Sequence, residues 1–240
     1  MGRAPAPQLL RAAVPAARCE DWRQLIAAGV ERRRGGPLDP DFSLHSSSLR
    51  LRALSGLGLD PVAVATPLWR GVLQAPIDAC FGDCVALLAD QCWARCQYAP
   101  GRAPPGHAAH GWHQDGALNF DFGTPLAGRA PLKMLTCWIA LTPCGDDAPG
   151  LELLRRPVLH LLSPPELDSL RVGERYAPAD FWRPVMGAGD LLLFSGETLH
   201  HTHVRPMMSN DRISLELRFV APGDRSPQLR GERLVTLGAS

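Results

Sequence analysis

The chain reads as a mainly β protein, an all-β barrel or double-sheet jelly roll, with a helical N-terminal layer. Three observations predict this. Apolar residues recur at helical spacing before residue 84, short apolar segments punctuated by Gly and Pro follow it, and Ile213 to Phe219 alternates apolar with polar residues. At 240 residues the chain is long enough to bury a sizeable core as one domain. The expected organisation is a single domain, 1–240, with a helical part at 1–83, a β core at 84–222 and a C-terminal tail at 223–240.

Residues 1–35 are expected to be helical, because Trp22, Leu25, Ile26 and Val30 share one helical face and Gly35-Gly36-Pro37 stops the segment. Residues 37–60, rich in Ser, Pro and Asp, read as loop. A second helical region is expected over 61–79, interrupted near Pro67 and Pro76. From Cys84 the texture changes. Residues 85–98 form a mainly apolar run, and 100–106 a loop. Extended segments are expected at 112–122, 132–141, 151–154, 190–194 and 213–220. The alternation in the last of these marks a strand with one face buried. Residues 163–184 are polar, contain proline and are too long for a plain turn, as an active-site lid would be.

Composition excludes several functional classes. Hydrophobic residues make up 45% and charged residues 20%, ordinary values for a globular protein. A net charge of +1 gives no electrostatic footprint for nucleic acid or an anionic membrane. Lys133 is the only lysine among many arginines, which reflects coding bias rather than function. No segment approaches the roughly 20 apolar residues of a membrane span. Residues 1–17 lack the unbroken apolar region of a secretory signal, so the cytoplasm is the expected compartment. Seven unevenly spaced cysteines argue against a disulfide framework. The pairs Cys80/Cys84 and Cys92/Cys96 are spaced more widely than most zinc knuckles and read as buried thiols.

The sharpest local feature is Trp112-His113-Gln114-Asp115-Gly116. On a strand, residues two apart share a face, so His113 and Asp115 would present an imidazole and a carboxylate together. These are two ligands of a two-histidine, one-carboxylate facial triad, which leaves metal positions open. A third ligand must come from elsewhere. The run His200-His201-Thr202-His203 follows the apolar segment 191–194 and can supply it. Arg212 and Ser214, again two apart, would offer a planar fork and a hydroxyl to a carboxylate. His107 and His110 precede His113 at a three-residue period and read as loop histidines, while Trp138 either lines a pocket or fills the core.

At these residues the chain resembles the phytanoyl-CoA dioxygenase family of iron(II)/2-oxoglutarate-dependent oxygenases. His113-Gln114-Asp115 is similar to the family's His-x-Asp motif. Trp138-Ile139-Ala140-Leu141, with Asp146 to Leu151 after it, resembles its next strand and Pro-Gly turn, and Gly189 to Phe194 resembles the strand entering the distal histidine. Counting from Gly189 makes that histidine His200, whereas counting back from Arg212 makes it His201; His200 is preferred because the strand is the firmer anchor. The resemblance covers about 85–219. It departs after the Pro-Gly turn, where Leu151 to Pro157 replaces the family's usual stretch.

The resemblance implies a double-stranded β-helix (jelly-roll, cupin-like) core, Fe(II) held by His113, Asp115 and His200, and 2-oxoglutarate bound through Arg212, Ser214 and Thr202. It implies O2 as oxidant and oxidative decarboxylation of 2-oxoglutarate coupled to hydroxylation of an unactivated C–H bond. The expected partner is a small or medium-sized organic substrate, with no nucleic acid and no membrane, and the expected state is a monomer or homodimer. Two competing readings are a cupin-like metal-dependent isomerase and a non-catalytic metal-binding module. A halogenase ranks lower, because Asp115 occupies the position a halide would need.

Overall fold

A computed structural model describes residues 6–34, 36–37, 39–118 and 128–238. The ends of several expected segments, at 1–5, 35, 38, 119–122 and 239–240, lie outside the described residues. The chain begins with β1 (Gln8–Leu10), α1 (Ala16–Arg34), β2 (Phe42–Ser43) and β3 (Ser48–Arg50). A 3-10 turn (Leu51–Leu57) leads to α2 (Pro61–Arg70) and α3 (Gln74–Phe81). Then come β4 (Val85–Leu88), β5 (Trp93–Gln97), β6 (His113–Gln114), β7 (Met134–Ala140) and β8 (Gly150–Leu154). The chain ends with α4 (Ser169–Arg175), β9 (Phe181–Trp182), β10 (Leu191–Ser195), β11 (Leu199–His203), β12 (Arg212–Val220) and β13 (Leu234–Leu237).

These strands form two antiparallel sheets, the jelly-roll form rather than a closed barrel. A nine-stranded sheet runs β1-β10-β7-β12-β5-β3-β2, with β4 joined to both β12 and β13. A four-stranded sheet runs β6-β11-β8-β9. A cluster of polar residues that includes His113, Asp115, His200 and Arg212 lies between the two.

The helices explain why the larger sheet can be apolar on its far side. From α1, Trp22, Ile26 and Val30 are buried with Leu49, Leu54, Leu215, Leu217 and Phe219 in one cluster. Gly29 sits where a Cβ would stand 2.8 Å from the Leu54 side chain and 3.0 Å from Leu49, so its lack of a side chain sets how closely α1 packs. The run Arg32, Arg33 and Arg34 ends α1 with charge that suits the negative end of a helix dipole. Asp60 starts α2, its carboxylate accepting hydrogen bonds from the backbone N–H groups of Val62 (2.9 Å) and Ala63 (3.3 Å), with Pro61 at the first helical position.

Several local expectations need correction. The first 35 residues are not uniformly helical: Gln8–Leu10 pairs with Leu191–Leu193 as an edge strand. The segment 37–60 contains β2, β3 and a 3-10 turn, because Leu49, paired with Ala94 of β5, and Leu51, which donates to Cys92 O at 2.8 Å, are both buried in the core. The second helical region breaks at Gly71 to Leu73 rather than at its prolines; Pro67 lies within α2 and Pro76 in the first turn of α3. In the described part of the extended segment at 112–122, residues 112–118, only His113–Gln114 is strand, and Asp115 already opens a 3-10 turn (Asp115–Ala117). The strand at 213–220 is buried on both faces, since helices cover one side and the smaller sheet the other. Residues 163–184 pack as α4 and β9 around Val172, Tyr176 and Phe181, and none of them lines the cavity described below. Among the described residues, no helix is long and apolar enough to cross a membrane.

Candidate metal centre

Long-range strand pairing places the two histidines. On β6 and β11, His113 and His200 are direct cross-strand partners, with ring centroids 4.1 Å apart. Each ring is oriented by a backbone carbonyl: His113 Nδ1 lies 2.8 Å from Gly111 O, and His200 Nδ1 lies 3.0 Å from Thr198 O. A carbonyl only accepts, so Nδ1 carries the proton in both rings and Nε2 keeps its lone pair. Between the two motif residues, Gln114 points the other way. Its amide donates to Val158 O and His160 O, both at 3.1 Å, and its carbonyl accepts from Leu162 N at 3.0 Å, tying a neighbouring loop to β6.

Asp115 is brought to the same point by a tight turn. Gly116 donates to Gly196 O at 2.9 Å and accepts from Leu132 N at 2.9 Å. A Cβ at Gly116 would stand 2.6 Å from Pro131 and 2.7 Å from Gly196 O, so this approach requires glycine. Ligand atoms of His113, Asp115 and His200 all lie within 4.8 Å of one another. Asp115 Oδ1 faces His113 Nε2 at 3.9 Å.

The carboxylate is held from behind by groups the sequence did not single out. Thr136 Oγ1 donates to Asp115 Oδ2 at 2.6 Å, and Arg218 Nη2 donates to Oδ1 at 2.9 Å. Arg218 also donates to Glu216 (3.2 Å) and to Gln91 O (3.0 Å). Glu216 in turn accepts from Arg95 Nε at 2.6 Å, and Arg95 donates to Ser48 (2.7 Å) and to His110 Nε2 (3.2 Å). Burial would raise the Asp115 pKa, but Arg218, the two imidazoles and the Thr136 hydroxyl outweigh it and hold it well below the usual carboxylate range. Glu216 is likewise brought down to about 2, with Arg95 and Arg218 overcoming its burial. Burial lowers His113 and His200, and takes His110 down to about 4, so the imidazoles are neutral near pH 7, as metal ligands must be.

These groups border a cavity between the sheets. Its walls include Trp138, Leu151 and Phe194, and it is lined also by Arg95, His110, Thr202, Arg212 and Glu216 beside the three clustered residues. Arg212 is fully buried, donates to Gly150 O at 3.3 Å and lies 5.1 Å from the centre of the Trp138 ring. Its Nε, like Trp138 Nε1 and Ser214 Oγ, is buried with no hydrogen-bond partner. Burial pulls its pKa down to about 10, still charged at neutral pH. Buried donors without partners are rare and mark places where a ligand completes the bonding. A carboxylate fits the Arg212 donor, and two neutral imidazoles beside a carboxylate suit iron(II).

The expected site residues therefore fall into three groups. His113, Asp115 and His200 converge. Arg212 and Thr202 line the same cavity, while Ser214 is fully buried on the same strand as Arg212 but is not among the lining residues. The alternative distal histidine, His201, faces the other side of β11 and bonds Glu152 at 2.8 Å. His107 is bound to Ser47 and Gln97, both at 3.0 Å, away from the cluster. Arg95, Thr136, Glu216 and Arg218 were missed. A signal for the last two existed in the polar positions of β12, whose alternation reads as a strand with one face buried.

A family model described as phytanoyl-CoA dioxygenase matches residues 9–205, most of the chain. No curated protein matches. Among solved structures, the non-haem α-ketoglutarate-dependent carbocyclase SnoK from nogalamycin biosynthesis is similar, with a TM-score of 0.62 and 13% identity over 97% of this chain and 92% of that one. EvdO2 from Micromonospora carbonacea var. aurantiaca has a TM-score of 0.57 and 18% identity over 94% and 91% of the two chains. HygX from Streptomyces hygroscopicus, solved with nickel and 2-oxoglutarate bound, has a TM-score of 0.55 and 13% identity over 92% and 84%. At these identities the likeness speaks to the fold.

Proposed function

Because the chain belongs to the phytanoyl-CoA dioxygenase family of iron(II)- and 2-oxoglutarate-dependent enzymes, we propose that it oxidises an unactivated C–H bond of a small or medium-sized organic molecule, with hydroxylation as the outcome. The whole chain, 1–240, acts as one oxygenase domain. The observation that carries this reading is the convergence of His113, Asp115 and His200 beside the buried Arg212 whose Nε has no partner.

In this reading the three converging residues hold Fe(II), and Arg212 receives the far carboxylate of 2-oxoglutarate, with Thr202 beside it and Ser214 next along the strand. The bound iron and co-substrate supply dioxygen activation and hydrogen abstraction. The protein's own part is geometric and electrostatic. Gly111 and Thr198 fix the imidazole tautomers, while Thr136 and Arg218 keep Asp115 ionised and aimed. Trp138, Leu151 and Phe194 keep the cavity walls dry. Three guanidiniums, Arg95, Arg212 and Arg218, stand against two carboxylates, Asp115 and Glu216, so the site is net cationic before any metal enters and suits a dianionic co-substrate.

SnoK is named a carbocyclase, and another similar structure, SnoN, is named an epimerase (TM-score 0.53, 12% identity over 91% of this chain). Ring closure and epimerisation also begin with hydrogen abstraction, so they are the alternative outcomes for this site. A cupin-like isomerase or a silent metal-binding module would have no use for the vacant Arg212 donor. The test is succinate formation from 2-oxoglutarate with iron(II) and ascorbate, first alone and then with candidate substrates. Succinate that depends on iron and on His113 supports the reading. Its absence with every substrate, in iron-loaded protein, counts against it.

A further inference from the structure

β11 has a second face. His200 points between the sheets, so His201 and His203, each an odd number of residues away, point to the outside of the four-stranded sheet. There they meet Glu152 of β8, the direct cross-strand partner of His201. We propose that Glu152, His201 and His203 form a second metal site, separate from the iron centre, for a divalent cation of the zinc class.

The three side chains converge on one atom. Glu152 Oε2 lies 2.8 Å from His201 Nε2 and 3.8 Å from His203 Nδ1, and one ligand atom from each residue lies within 4.8 Å of the others. Ligand atoms around one such ion stand about 3.0–3.4 Å apart, given metal–ligand distances near 2.1 Å. Small side-chain shifts reach that spacing. The other carboxylate oxygen is already engaged: Arg183 donates to Glu152 Oε1 from Nε at 2.9 Å and from Nη2 at 2.8 Å. That fork orients the carboxylate and leaves Oε2 turned toward the two imidazoles, the usual second layer around a metal ligand. The Trp112 ring lies 4.0 Å from the His201 ring centre and steadies it.

An ion-pair network alone explains less. It accounts for Glu152 with Arg183 and His201, but it leaves His203 Nδ1 aimed at the same oxygen from beyond hydrogen-bond reach. None of the three residues lines the inner cavity. Two imidazoles and one carboxylate, with open positions for water, suit zinc, nickel or copper over magnesium or calcium. The site would tie β8 to β11 and, through Arg183, to the segment that follows β9.

Metal-free full-length protein titrated with zinc chloride, followed by calorimetry and by metal analysis after gel filtration, tests this. Wild type is expected to hold two zinc ions per chain. His203→Gln and Glu152→Gln should each hold one, and His200→Ala should also hold one, having lost the other site. Zinc should raise the thermal midpoint of His200→Ala, and that rise should vanish when His203→Gln is added. One zinc per chain in wild type, or two in both His203→Gln and Glu152→Gln, would overturn the proposal.

Discussion

Asp115 is held from several sides at once. Its carboxylate, buried at 7% exposure, is the point where Thr136, Arg218 and both histidines meet. Taking away Arg218 leaves Asp115 and Glu216 as buried carboxylates short of a partner, a loss that costs about 3–5 kcal/mol in comparable pairs. Arg218→Met should therefore lower the thermal midpoint and iron retention together. A folded variant with full iron content would detach Arg218 from the centre. Arg212 is expected to behave differently. Arg212→Ala should keep iron but raise the 2-oxoglutarate requirement, since losing a charge-assisted contact in a dry pocket costs about 2–5 kcal/mol; calorimetry on iron-loaded protein reads both. His110 gives a pH signature. Burial, then Arg95, holds it at about 4 when folded, against an ordinary value of 6.5. Between these values the unfolded chain binds more protons, so this contribution to stability is intact above about pH 6.5 and is lost as pH falls toward 4. Denaturant midpoints measured across that range should drop with acid, and His110→Gln should flatten part of the slope. An unchanged slope would assign the loss to other groups.

Among the elements, β12 explains both what was legible and what was not. Its alternation was plain in Ile213 to Phe219, and a strand was the right inference. The polar positions resemble a wet face, because alternation alone cannot distinguish solvent from a polar interior. In the fold, Arg212, Glu216 and Arg218 face the site, while Leu215, Leu217 and Phe219 pack under α1 and the turn after β3. Substitutions on the two faces should separate. Leu217→Ala, at a fully buried position, should cost about 2–5 kcal/mol of stability and leave 2-oxoglutarate affinity of the folded fraction unchanged. A fall in that affinity would mean the two faces are coupled. The His-x-Asp pair was legible as a pair, but its convergence does not come from strand alternation alone, since Asp115 opens a turn set by Gly116. Edge strands such as β1 and β2 escaped notice because two or three residues carry no periodicity, and their partners lie far along the chain.

Across the whole molecule, the jelly roll places histidines from the smaller sheet opposite arginines from the larger one, and the cavity is the gap between them. The order of motifs along the chain foretold that arrangement, because a His-x-Asp, a distant histidine and a later arginine only make chemical sense when sheets bring them together. What the chain order could not supply was the packing behind Asp115, which joins residues 115, 136, 216 and 218 through long-range contacts. This gap is expected to bind 2-oxoglutarate against a metal held by His113, Asp115 and His200. The most direct measurement is anaerobic calorimetric titration of 2-oxoglutarate into the protein with and without iron(II). Binding should require iron, disappear in His200→Ala, persist in His201→Ala and weaken strongly in Arg212→Ala while iron stays bound. No binding to the iron-loaded wild type, or equal binding without metal, would contradict it.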